Sequence, residues 1–215
     1  MKQGHTVAAA LLAALGAGPA AAHPHVFVEA NVEIVRNGEG AVTEVRHVWR
    51  FDELFSSTVL LDFDGNGNGK LEPAELDSVS DVVTKSIAEY DFYTEMRAGA
   101  DPAEFSPPPR VMVAYEDEQV LMFFPLKLKK PVAGDFRVAV ADTSYYVAIE
   151  IADDAAVQVT GPAADTCKTA IARPDFDALI AKNSSKMAEY FNKNSTAANV
   201  DLGDEWLTWI SLECK

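Results

Sequence analysis

Twelve consecutive residues, Asp64-Gly-Asn-Gly-Asn-Gly-Lys-Leu-Glu-Pro-Ala-Glu75, space oxygen atoms as a hard cation needs them. Asp64, Asn66 and Asn68 stand at loop positions 1, 3 and 5 with side-chain oxygens, and Gly69 stands at position 6, where the chain must turn sharply. Lys70 offers a backbone carbonyl at position 7, and Glu72 at position 9 can act through water. Glu75 supplies a two-oxygen carboxylate at position 12. This is the spacing of an EF-hand loop, so Ca2+ is the expected ion. Asn instead of Asp at positions 3 and 5, and the lack of a second loop in the sequence, point to weak affinity, roughly 10⁻⁴ to 10⁻³ M. Such a site suits a structural staple better than a sensor.

A second set of donors lies near the N-terminus. Residues 1–22 begin with Lys2, continue through an apolar stretch from Thr6 to Gly16, and end in Ala20-Ala21-Ala22. That is the layout of a secretory signal peptide, and its apolar run is shorter than the roughly 20 residues of a membrane-spanning helix. Cleavage after Ala22 leaves a chain starting His23-Pro24-His25, with an α-amine and two imidazoles within three residues. Neutral imidazole suits Ni2+, Co2+, Zn2+ and Cu2+. Pro24 has no N–H to deprotonate, which blocks the square-planar amino-terminal clip. Chelation by the α-amine and the His23 ring remains open, with His25 or an acidic neighbour completing the set. The bland alternative is the polar start of an edge strand. No G-x-S-x-G elbow, H-E-x-x-H helix or phosphate-binding glycine loop is present, so no enzyme is expected.

The balance of 18 Lys plus Arg against 33 Asp plus Glu gives a net charge of −15. A surface that acidic repels nucleic acid and anionic lipid and favours cations, although solubility alone also accounts for it. Cys167 and Cys214 read as a disulfide in an exported chain. Closing the intervening loop of 46 residues is worth about 3–4 kcal/mol.

These groups need a scaffold, and the expected class is α+β: an antiparallel sheet or sandwich with an inserted EF-hand-like helix-loop-helix and a C-terminal helix. Residues 23–215 form one such domain, with the helical hairpin at 52–90. Val26, Val28, Ala30, Val32 and Ile34 alternate with polar or exposed positions, which predicts a strand. Asn37-Gly38 predicts a two-residue turn into a second strand from Ala41 to Phe51. In that register His47 faces Val28 on the apolar side and His25 faces Arg50 on the other. His47 then fits a buried, hydrogen-bonded histidine better than a ligand shared with His25. Helices are predicted at 52–63 and 73–90, the latter with Leu76, Val79, Val83, Ile87 and Tyr90 on one face. Strands follow at 110–116, 119–128, 135–141, 144–152, 155–160 and 165–172, with a turn at Asp117-Glu118. A helix is predicted at 175–191, with Phe176, Leu179, Ile180, Met187 and Tyr190 on one face, and a last strand at 205–214.

Several phrases together resemble the family called domain of unknown function 1007. They are the mature start HPHVFVEA, then RHVWRFDELFS, the loop DFDGNGNGKLEPAEL, YDFYTEM, ADTSYYVAIEI and the two cysteines. The resemblance implies a periplasmic component of an uncharacterised ABC-type transport system, associated with nickel/cobalt-type or other transition-metal permeases of the inner membrane. It points to His23, His25, His47, Asp52 and Asp142, in falling order, as transition-metal positions. The two α/β lobes of a solute-binding protein are not visible in the sequence, which favours an accessory role over clamshell capture. The alternative is a calcium-stabilised interaction module with no transition-metal function.

Overall fold

The computed structural model describes residues 24–144, 146–184 and 203–214. The expected signal peptide, His23 and the second half of the expected C-terminal helix lie outside them. In chain order the strands are β1 (Val26–Arg36), β2 (Val42–Phe51), β3 (Thr94–Ala98), β4 (Asp101–Pro102), β5 (Phe105–Ser106) and β6 (Met112–Glu116). They continue as β7 (Gln119–Val132), β8 (Phe136–Val140), β9 (Val147–Glu150), β10 (Val157–Thr160), β11 (Cys167–Ala172) and β12 (Trp209–Cys214). The helices are α1 (Glu53–Phe63), α2 (Pro73–Ala88) and α3 (Phe176–Lys182).

The alternation in β1 turns Val26, Val28, Ala30, Val32 and Ile34 inward, all buried, with β2 antiparallel beside it. The turn between them is longer than the two residues expected. The Asn37 side-chain oxygen accepts the Glu39 and Ala41 N–H groups at 3.0 and 2.9 Å, and positive φ falls on Gly40 (+82°), not on Gly38. The register moves accordingly: His47 faces Val32 instead of Val28, and Arg50 faces Glu29 instead of His25. The slip is even, so each side chain keeps its face, and His47 still points into the core.

Seven strands form the first sheet in the order β10-β1-β2-β7-β5, with β6 also on β7 and β9 also on β1. This sheet is mixed, not purely antiparallel as expected, because β9 and β10 both pair with β1 in parallel. The chain has left β1 long before it returns to that edge, and so is free to arrive in either direction. The second sheet, β11-β12-β8-β3-β4, pairs antiparallel throughout. The two sheets share one core, in which Trp49, Phe124, Ile34, Met122 and Leu126 meet Met96 and Ile210.

The helical hairpin is fastened to the sheet by buried hydroxyls. Ser56 of α1 donates to the Asp52 carbonyl at 2.7 Å and accepts the Val120 N–H at 2.9 Å. Ser80 of α2 donates to the Val111 carbonyl, and Thr84 accepts the Val111 N–H at 2.9 Å. Val79 and Ile87 are buried as their spacing predicts, but Tyr90 lies past the helix end and is 54% exposed. The Asp117-Glu118 turn is present, with both residues at positive φ. Residues 204–206 form a single 3₁₀ turn, so the last strand starts at Trp209 instead of 205. At the far end of β1, Gly161 allows the chain to cross Arg36 closely: a Cβ there would stand 2.0 Å from the Arg36 carbonyl oxygen. Cys167 and Cys214 occupy opposed positions of β11 and β12.

Candidate functional site

The 64–75 loop joins α1 to α2, and its oxygens are already gathered by its own backbone. The Asp64 carboxylate accepts the Asn68 N–H at 3.1 Å and the Gly69 N–H at 2.7 Å. Positive φ at Gly67 (+70°) and Gly69 (+77°) lets the chain curl around it. Asn66 Oδ1 accepts the Asn68 N–H at 3.0 Å, and Asn68 Oδ1 accepts the Lys70 N–H at 2.9 Å. Both amide groups donate their Nδ2 hydrogens to Glu72, at 3.2 and 3.1 Å. Glu75 spans the loop mouth: Oε1 accepts the Gly65 N–H at 2.8 Å and Oε2 the Glu72 N–H at 2.9 Å, half of a capping box at the start of α2.

Each of these oxygens spends one lone pair on an N–H and keeps another, so the set retains acceptor capacity for a cation. The donors are oxygens only, carried on an exposed loop, and they match a hard ion better than a soft one. Among the described residues, no three His, Cys, Asp or Glu side chains converge as a metal-ligand group. Asn66, Asn68 and the Lys70 carbonyl therefore have to complete any coordination here.

The positions implied for a transition metal separate into two places. His25 is exposed before β1; its N–H donates to the Tyr146 carbonyl at 2.9 Å and its ring lies 5.0 Å from that of Tyr146. Asp52 and Asp142 come to the same end of the sheet. Asp52 accepts the Phe27 N–H and, as the N-cap of α1, the Phe55 N–H, both at 2.9 Å. Asp142, 7% exposed, accepts from the Ser144 N–H and hydroxyl at 2.8 and 2.7 Å and from the Val147 N–H at 2.9 Å. Val147 in turn pairs with Val26.

His47 is not among them. It faces Val32, seven residues beyond His25, which is roughly 23 Å along an extended strand. Its ring stacks on Phe124 with centroids 4.7 Å apart, and burial pushes its pKa down to about 3. Nε2 lies 3.3 Å from Thr94 Oγ1, whose hydroxyl donates to the Phe92 carbonyl at 2.9 Å, so the imidazole is the donor of that pair.

Beside that contact the backbone turns left-handed. Asp91, Phe92 and Tyr93 all adopt left-handed φ, at +50°, +54° and +51°, a conformation costing L-residues roughly 1–2 kcal/mol each. The turn is held by Tyr93 N–H to the Tyr90 carbonyl at 2.8 Å, by Ala141 N–H to the Tyr93 carbonyl at 2.8 Å, and by the buried Phe92 ring. It presents Tyr90 and Tyr93 stacked nearly parallel, 5.3 Å apart, on the wall of a cleft of about 660 Å³. Asp91, Glu95, Glu104, Lys129 and Asp142 also line it. Tyr93 is pushed up to about 12 by burial, then by Asp142 and Tyr90, so its hydroxyl stays protonated. The one hint in the sequence is a helix ending in Tyr-Asp with no glycine, Asp being among the few residues that tolerate this region.

A family model described as "Protein of unknown function (DUF1007)" matches residues 8–214. No curated protein matches the chain.

Proposed function

The chain belongs to the DUF1007 family, and on that premise we propose that it is an exported, non-enzymatic interaction module whose 64–75 loop takes Ca2+ as a structural staple between α1 and α2. One observation carries this reading. Asp64 at the end of α1 and Glu75 in the first turn of α2 already bracket a loop curled by Gly67 and Gly69, with the Asn66 and Asn68 side-chain oxygens fixed inside it. Calcium then adds a shared ligand to two helices that pack on the sheet. A disulfide between Cys167 and Cys214 fits the opposed positions of β11 and β12 and would fasten the second sheet in an oxidising compartment. No helix among the described residues is long and apolar enough to cross a membrane.

The test is thermal unfolding with and without millimolar CaCl2. The wild type gains several degrees in Tm, and Glu75→Gln loses that gain while folding normally in its absence. An equal calcium response in Glu75→Gln overturns the assignment.

A specific observation supports a second role, that of a periplasmic accessory presenting Ni2+, Co2+, Zn2+ or Cu2+ to an inner-membrane permease or ABC transporter. His25, Asp52 and Asp142 all lie at one end of β1. His47 takes no part in this version. Isothermal titration of the correctly cleaved protein decides it: His25→Ala lowers transition-metal affinity, and unchanged affinity in both His23→Ala and His25→Ala refutes it.

A further inference from the structure

The helix α1 is apolar on the wrong side. Its inner face contributes Ser56 and Val59 to the buried interior, with Phe55 and Phe63 packed against the core. The outer face carries Leu54 and Leu61, which are 76% and 81% exposed. Ser57 and Thr58 lie between them, at the i+3 and i+4 positions that share this face. Both hydroxyls turn back onto the Leu54 carbonyl, at 2.8 and 3.1 Å. The result is a stripe, Leu54-Ser57-Thr58-Leu61, in which both hydroxyl protons are spent on the helix's own backbone. Two leucines this exposed, two turns apart on one helix face, make an apolar patch of the kind that contact surfaces carry.

Charge indicates what covers it. The helix has no Lys or Arg, and its exposed acids, Glu53 and Asp62, stand at the two ends of the stripe. A second copy laid antiparallel on this face would set Glu53 against Asp62 at both ends, and a parallel copy would set like against like. An anionic lipid surface is repelled for the same reason.

We infer that the outer face of α1 docks a basic, amphipathic helical segment of a partner protein, with two apolar anchors in contact with Leu54 and Leu61 and Lys or Arg facing Glu53 and Asp62. The inference rests on the reading of the chain as an interaction module, and names the surface and the partner chemistry. Electrostatic attraction favours the encounter and the leucines supply the desolvated centre.

The experiment uses the whole exported chain and two fluorescent 18-residue helical peptides with the same Leu/Ala stripe, one flanked by Lys and one by Glu. Anisotropy titration at low salt is expected to show binding of the Lys peptide and at least about tenfold weaker binding of the Glu peptide. Leu54→Ser and Leu61→Ser are each expected to weaken the Lys peptide by about tenfold or more. Equal binding of the two peptides, or binding unaffected by both Ser variants, overturns the proposal. So does a dimer in sedimentation, or retention on phosphatidylglycerol vesicles, that the Ser variants abolish. The calcium-induced rise in Tm serves as the fold control. It persists in the Ser variants if only docking is lost, whereas a wild type without any such rise refutes the staple and leaves the docking result standing.

Discussion

Replacing His47 by Phe tests whether the core histidine is neutral because it is buried. In the native protein the ring is 1% exposed, its Nδ1 has no hydrogen-bond partner, and its Nε2–H points to Thr94 Oγ1. The unfolded chain takes up the proton near the ordinary pKa of 6.5, the folded protein only near about 3. Between those values the unfolded state binds more protons, so this group makes stability fall as pH falls through the window and leaves it unaffected above. For one such group the loss from pH 7.5 to 5 is about 2 kcal/mol, and roughly 5 kcal/mol is its limit near pH 3. The carboxyls of Asp204 and Glu104, held low by hydrogen bonds from Arg97 and Lys129, lose their contributions only as pH drops below their ordinary values of 3.8 and 4.5. Urea unfolding followed by tryptophan fluorescence at pH 7.5, 6 and 5 therefore isolates the histidine. With a slope of about 2 kcal/mol per molar urea, the wild-type midpoint should drop by about 1 M. Phe at position 47 keeps the stack on Phe124 and removes the orphaned nitrogen, so its midpoint should drop by less than half as much. A wild-type midpoint that is flat over this range, or an equal fall in His47→Phe, refutes the reasoning.

Other outcomes follow from single positions. Gly161→Ala combines a φ of +96° with a Cβ placed 2.0 Å from a backbone oxygen. It should cost about 2–3 kcal/mol and lower Tm by about 5–10 °C, measured calorimetrically. At ordinary exposed sites Ala is at least as stable as Gly. At the left-handed Asp91 the order should invert, with Asp91→Gly about 1 kcal/mol more stable than Asp91→Ala in chemical denaturation. Thiol titration of the exported protein unfolded without reductant should find no reactive cysteine, and two after reduction; two before reduction would remove the proposed disulfide.

Legibility followed period and local chemistry. The two-residue alternation of β1 and the buried positions Val79 and Ile87 of α2 were plain in the sequence, because burial enforces the pattern. That 64–75 is a loop between two helices was legible because its glycines and short polar side chains shape the turn within a few residues of chain. The hairpin register was not, since Asn37-Gly38 can serve turns of more than one length and the choice went to Gly40. Faces survived that error because the slip was even. The parallel pairing of β9 and β10 and the short strands β3 to β5 depend on long-range placement that no local pattern encodes. The left-handed turn at 91–93 was hidden for a further reason. Neither glycine nor asparagine marks it, and part of what holds it is remote: the Ala141 N–H, which donates to the Tyr93 carbonyl from the neighbouring strand.

The two candidate cation sites are the two ends of one helix. Asp52 caps the N-terminus of α1 and at the same time accepts the Phe27 N–H, two residues from His25. Asp64 closes the C-terminus, its N–H donating to the Leu60 carbonyl at 2.9 Å while its carboxylate opens the 64–75 loop. Eleven residues separate these aspartates, roughly 16 Å of rod. Ser56 pins the middle of that rod to β7 through Val120, and Leu54 and Leu61 stand on its outer side. A cation held at Asp64 would therefore act on the element that presents Leu54 and Leu61 and whose first turn is tied to the strand after His25. The calcium reading and the histidine reading compete as descriptions of the function, yet the fold gives them a common part, and an aspartate at each end of α1 is what joins them.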